Sequence, residues 1–211
     1  MKKALNISIL AIVLISCTVE ESRATETSEV NTPKNLEGYQ TAYFASGCFW
    51  CVEAVFESVL GVEEAVSGYS GGTSENPTYY EVGSGKTDHA ETVKVYYDST
   101  VVNFETLVEV FFNSHDPSTL NRQGPDSGKQ YRSIAFYQSE HEKIIIKERI
   151  GKLLRDEFSV VTTQVVPFEI FYLAEDYHQD YERLHPENSY VQNVSIPRLN
   201  AFKLRMPEVL K

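Results

Sequence analysis

Two thiols three residues apart, Cys48 and Cys51, enclose Phe49 and Trp50 in the stretch Ala45-Ser46-Gly47-Cys48-Phe49-Trp50-Cys51-Val52-Glu53. At this spacing they can close a disulfide across one helical turn, and the two aromatics wall the pair with apolar surface. The stretch lies where the apolar run 39–45 gives way to a helical pattern of Val52, Val55, Phe56, Val59 and Leu60. Ser46 reads as the N-cap, which places Cys48 in the first helical turn. Unpaired N–H groups and the helix dipole there favour a thiolate over a thiol. Sulfur redox chemistry is therefore expected. A structural disulfide, half a zinc site and a pair of core thiols are the competing readings. A zinc ribbon needs a second CxxC or paired histidines, and the chain has neither. A chain of 211 residues also buries a core without a staple.

The elements that must hold these thiols follow from periodicity. Strands are expected over 39–45, 62–69, 92–97, 131–137 and 162–166, the last ended by Pro167. Helices are expected after Cys48 and over 104–112, 140–158 and 174–184. Polar Gly/Ser/Pro-rich stretches at 70–77 and 115–129 read as long functional loops, and everything from Pro186 onward as an irregular tail. The alternation predicts an α/β (α+β) two-layer sandwich, a mixed sheet covered by helices. With 13 Tyr and 11 Phe, its core is expected to be aromatic.

The net charge is −11, and Lys2 and Lys3 are the only charges in residues 1–16, so the remainder is more acidic still. Such a surface repels nucleic acid and anionic lipid. Lys2 and Lys3 precede an apolar run, 4–15, too short to span a bilayer, which takes about 20 residues. Leu14-Ile15-Ser16-Cys17 resembles the lipobox of bacterial lipoproteins. That resemblance implies a signal peptide over 1–16, lipidation of Cys17, and an extracytoplasmic place in the cell envelope, on the periplasmic face in a Gram-negative cell. Acyl chains are then the sole membrane contact. Residues 17–38, rich in Glu, Ser and Thr, read as a flexible tether, leaving 39–211 as the catalytic domain.

Four blocks carry a further resemblance. Gly47-Cys48-Phe49-Trp50 with Glu53 is the first. Pro77-Thr78-Tyr79 with Ser84-Gly85 and His89-Ala90-Glu91 is the second. His115-Asp116-Pro117 with Asp126-Ser127-Gly128-Lys129-Gln130-Tyr131-Arg132-Ser133 is the third. Ala174-Glu175-Asp176-Tyr177-His178-Gln179 is the fourth. In this order they resemble the peptide methionine sulfoxide reductase A family. The resemblance implies a ferredoxin-like core and reduction of the S-epimer of methionine sulfoxide, free or in proteins. It makes Cys48 the nucleophile, Glu91 the acid, and Tyr79 and Tyr131 hydroxyl donors to the sulfoxide oxygen, with Asp126 assisting. Phe49 and Trp50 form the pocket for the substrate methyl. Cys51 stands where many relatives have Gly, and no cysteine follows it. It is thus the resolving candidate, and the tail after Pro186 cannot relay electrons.

These roles meet the needs of the reaction. A sulfoxide oxygen leaves only if protonated or strongly hydrogen-bonded, so a thiolate must face sulfur and an acid must face oxygen. A carboxyl in an apolar pocket keeps its proton near neutral pH. The product is a Cys48 sulfenic acid, which Cys51 converts to a disulfide for an external thioredoxin-like dithiol to reduce. No cofactor or metal is implied, because His89, His115 and His178 lack ligand spacing. A monomer is expected. A thioredoxin-like thiol–disulfide oxidoreductase and a partner-binding lipoprotein with an inert disulfide remain as alternatives.

Overall fold

The computed structural model describes Met1 and residues 35–211. The expected signal peptide (apart from Met1), the expected lipidation at Cys17 and most of the expected tether 17–38 lie outside the described residues. Strand β1 (Gln40–Ser46) alternates its side chains: Ala42 and Phe44 face one layer, Tyr43 and Ala45 the other. Helix α1 (Phe49–Glu57) returns the chain to β2 (Val62–Ser70). A short helix α2 (Tyr79–Gly83) follows, fastened by a capping box between Thr78 and Glu81. Then come β3 (Ala90–Tyr97) and α3 (Phe104–Asn113), capped by the Asn103 side chain.

The two-residue strands β4 (Arg122–Gln123) and β5 (Asp126–Ser127) form a small separate ribbon in the second long loop. A 3-10 turn (Lys129–Tyr131) leads into β6 (Ser133–Tyr137), α4 (Glu140–Asp156) and β7 (Gln164–Pro167). The strand expected from residue 131 therefore starts two residues later, because the chain first makes that turn.

The main sheet runs β7-β6-β1-β3-β2-β8, with β8 at Phe171–Leu173. Its four central strands, joined by α1 and α3, are antiparallel with order β6-β1-β3-β2, the ferredoxin-like arrangement. Strand β7 pairs parallel to β6, so the α4 crossover extends the sheet and makes it mixed. One face carries the main core, which takes in side chains of α1, α3, α4 and the C-terminal helix. At its centre Phe44 stacks on Phe56 at 5.0 Å and Phe111 at 5.1 Å. Removing such a ring costs about 3–5 kcal/mol. The opposite face holds a smaller cluster around Tyr43, Ile134 and Phe136, covered by Phe168 and Phe171.

The C-terminal third differs from expectation. The helix anticipated over 174–184 is instead a 3-10 turn (Asp176–His178) and a one-turn helix α5 (Tyr181–Leu184), following directly on β8. The segment after Pro186, expected to be irregular, forms a π-helical turn (Val191–Ser195) that runs into α6 (Ile196–Arg205). Val191 and Phe202 are fully buried, and this apolar spacing fastens the tail against α1.

Candidate active site

The junction between β1 and α1 sets the site. Gly47 turns the chain at φ +96°, and a Cβ there would lie 2.7 Å from the Gln123 side chain, so only glycine fits. Ser46 is still in β1 and its hydroxyl accepts from Arg198, which leaves it no capping role. Cys48 itself is the N-cap residue, without a side-chain capping bond. The expected Ser46 cap is thus displaced by two residues, yet Cys48 remains at the mouth of the helix. Its neighbour's amide, Phe49 N, is one of the donors a helix start leaves unpaired, and it donates to Glu91 Oε2 at 3.0 Å.

Glu91 reaches that amide because of strand period. It shares a face of β3 with Val93, Val95 and Tyr97, all buried against the helical layer. At 2 % exposure the carboxyl is pushed up to about 8, mainly by burial, against the Phe49 hydrogen bond and with the Asp126 and Cys51 charges adding to the rise. It therefore holds a proton at neutral pH. With Oε2 occupied by the amide, Oε1 is free to carry it.

The two sulfurs differ. Burial pushes the Cys48 thiol well up, and its hydrogen bond with Cys51 and the charges of Cys51 and Glu91 push the same way. Cys51 is held at about 6, first by the hydrogen bond from Cys48, against burial, and then by the Arg198 charge. Burial thus works against the thiolate expected at Cys48, and the Arg198 charge favours the anion on Cys51. Desolvation at the closed end of the cleft outweighs the helix terminus, whose leading amide is given to Glu91 and not to sulfur.

Around buried Cys48 and Glu91 stands a half-buried rim of Trp50, Tyr79, Tyr131, Asp126 and Tyr190. Phe49 is buried beneath it, with its ring centroid 6.3 Å from those of both Trp50 and Tyr79. Burial raises Tyr79 to about 12 and raises Tyr131 as well, with Glu91 the next cause for both, so each keeps its hydroxyl proton. Asp126 on β5 accepts from Tyr190 Oη at 2.6 Å, and burial raises its carboxyl. Cys48, Cys51, Glu91, Tyr79, Tyr131 and Asp126 thus lie close enough to act on one another's ionisation, with Phe49 and Trp50 packed beside them, and Cys51 and Asp126 line a common cleft.

Residues outside that set hold it in place. Trp50 Nε1 donates to His178 Nδ1 at 3.2 Å, and its ring stacks on Tyr181 at 3.7 Å. Glu175 accepts from Tyr79 N at 2.9 Å and Tyr69 Oη at 2.8 Å. Glu53 is buried beneath the site, accepting from the Ser67 hydroxyl and Asp180 N. His115 bridges Phe111 O and Ser133 Oγ, and burial lowers it to about 3, so it is neutral.

Tyr190 and Arg198 were not anticipated. Both come from the tail, where Pro197 in the first turn of α6 and the apolar spacing of Val191, Leu199 and Phe202 were the available signals of a helix. With Cys51 and Asp126 they line a cleft of about 450 Å³.

Comparison with known proteins agrees with this geometry. Residues 40–208 match the peptide methionine sulfoxide reductase family. The chain is 46 % identical over 172 residues to peptide methionine sulfoxide reductase MsrA of Pasteurella multocida, covering 82 % of this chain and 99 % of that one. It is 43 % identical over 172 residues to MsrA of Saccharolobus solfataricus, covering 82 % and 97 %. Among solved structures, methionine sulfoxide reductase A of Corynebacterium diphtheriae superposes with a TM-score of 0.67 at 35 % identity, covering 72 % of this chain and 77 % of that one. Mxr1 of Saccharomyces cerevisiae in reduced form gives 0.67 at 32 % identity, covering 71 % and 87 %. The chain therefore belongs to the peptide methionine sulfoxide reductase A family and is a peptide-methionine (S)-S-oxide reductase.

Proposed function

We propose that the oxygen of methionine S-sulfoxide is passed to Cys48 with Glu91 as the proton donor. The observation that carries this reading is the buried, protonated Glu91 carboxyl held 3.0 Å from the amide that follows Cys48. The substrate methyl sits against Phe49 and Trp50, and its oxygen faces Glu91, Tyr79 and Tyr131. As Cys48 attacks sulfur, its proton passes to the Cys51 thiolate hydrogen-bonded to it. Glu91 gives its proton to oxygen, and the tyrosine hydroxyls stabilise the developing charge. Methionine leaves, with Cys48 as a sulfenic acid, Cys51 as a thiol and Glu91 as a carboxylate. Cys51 then closes the Cys48–Cys51 disulfide, and a thioredoxin-type dithiol reduces it. Asp126 orients the rim through Tyr190.

The test is an epimer-resolved assay with methionine sulfoxide and dithiothreitol. Wild type is expected to consume the S-epimer and leave the R-epimer. Cys48→Ser is expected to release no methionine even in a single turnover, and any burst from it would remove Cys48 as the nucleophile.

The same proposal includes attachment to the cell envelope. Lys2, Lys3, the apolar run 4–15 and Ser16-Cys17 support a lipoprotein signal, and the family match begins only at residue 40. No helix among the described residues is long and apolar enough to cross a membrane. Mass spectrometry of the membrane fraction is expected to show an acylated chain starting at Cys17; a chain starting elsewhere rejects the anchor.

A further inference from the structure

We propose that Arg198, carried by the C-terminal helix α6, is the positioning charge that holds Cys51 as a thiolate while it resolves oxidised Cys48. The inference rests on the reading that Cys48 is the oxidised sulfur and Cys51 its resolver. The guanidinium is fixed on two sides: Nε donates to Ser114 O at 2.8 Å and Nη2 to Ser46 Oγ at 3.2 Å. It passes alongside Gly47, where a Cβ would lie 3.3 Å from Nη1, so the glycine that turns the chain into α1 also admits the cation. Arg198 and Cys51 line the same cleft.

The groups that face Cys51 are Cys48 on its own helix, Glu91 from β3, and Tyr190, Ser195 and Arg198 from the tail, with Asp126 behind Tyr190. Two of them also bond elsewhere and support the Cys51 anion less than Arg198 does. Tyr190 Oη donates to Asp126 and stands 3.9 Å from the Cys51 sulfur, and Ser195 Oγ donates to Glu182. In the reduced pair the Cys48 thiol proton is the first support of the Cys51 anion. Once Cys48 is a sulfenic acid that thiol proton is gone, and Arg198 is the cation that remains.

The step it serves is balanced within the pair. Cys51 sulfur attacks Cys48 sulfur, the S–S bond forms as the S–O bond breaks, and the hydroxide leaves as water with the proton Cys51 gave up. Cys51 is oxidised and the Cys48 sulfenic sulfur reduced, both to the disulfide level, so no outside oxidant or reductant enters.

The test is rapid mixing of the reduced full chain with one equivalent of S-sulfoxide, following methionine release and thiol loss against pH. Arg198→Gln keeps an amide that can bond Ser114 O and Ser46 Oγ but removes the charge. The amplitude of its methionine burst, which counts folded sites whatever the burst rate, is expected to stay within about twofold of wild type. Disulfide closure per site should slow about threefold for each unit the Cys51 pKa rises at pH values below that pKa in both proteins, because there tenfold less thiolate is partly offset by higher nucleophilicity. By pH 9 that deficit should be gone, and Arg198→Lys should follow the wild-type profile. Closure slowed equally at every pH, unchanged closure, or a Lys variant displaced like Gln would each overturn the proposal. A Cys51→Ser variant that recycles normally would instead sink the underlying assignment of Cys51.

Discussion

The two sulfurs sit one helical turn apart, yet they face different parts of the molecule. Cys48 stands beside the proton-bearing groups of β3, α2 and the Lys129–Tyr131 turn, Glu91, Tyr79 and Tyr131, with Tyr190 and Glu91 reaching both sulfurs. Cys51 looks toward the tail, where Arg198 supplies a fixed positive charge. The first environment suits protonation of a leaving oxygen; the second suits a thiolate held ready. The lesson is that the CxxC spacing makes the pair, while the elements packed on either side divide the labour within it.

The most severe way to test that division is Cys51→Ser. With Cys48 intact, the variant should release about one equivalent of methionine per site and then stall with a protein dithiol as reductant. Cys48→Ser gives no burst, so the two variants separate the roles. Sustained turnover by Cys51→Ser would mean that the sulfurs are not specialised.

Glu91→Gln should cost about 10²–10⁴-fold in the first-turnover rate at pH 7, the usual worth of a positioned general acid. The sign with pH follows from a carboxyl raised to about 8. Its acid form is present below that pH and lost above it, so the gap between wild type and variant should be widest below pH 8 and narrow above. A variant equal to wild type at pH 7 would leave the Cys48 side without its acid.

Glu53 sharpens the comparison most gently. It is also buried and raised to about 8, chiefly by burial, but it faces Ser67 and the Asp180 amide and not a sulfur. A carboxyl raised above its unfolded value near 4.5 binds more protons when folded. Its stability contribution is thus complete below about pH 4.5 and lost as pH rises through about 8. Glu53→Gln should flatten the fall of Tm between pH 6 and 9, by about 2–4 °C for each kcal/mol of linkage removed, with little change in turnover. An unchanged slope would show that Glu53 is not proton-bearing.

Much of this was legible in the chain. The period-2 alternation of Val93 and Val95 announced β3, and Phe104, Leu107, Val108 and Phe111 announced α3, whereas Glu91 lay just outside the expected strand and was marked only by the family resemblance. The tail was not legible in the same way. Pro186 and the polar run after it read as a break, although Val191, Leu199 and Phe202 are the residues that dock it. The Ser46 cap misled for a related reason. Ser is a good cap in isolation, but Gly47 bends the chain before the helix begins, and Arg198 takes the hydroxyl.

By itself the sequence determined the thiol pair and the strand and helix pattern up to residue 167, because residue types at fixed local spacing carry that information, and through its resemblance to the family it named the carboxyl and phenols of the site. Only the tertiary structure decided where the charge on the thiol pair rests. Burial and the charge of Arg198, 147 residues beyond Cys51 in the chain, bear on that balance, and neither is a property of local sequence.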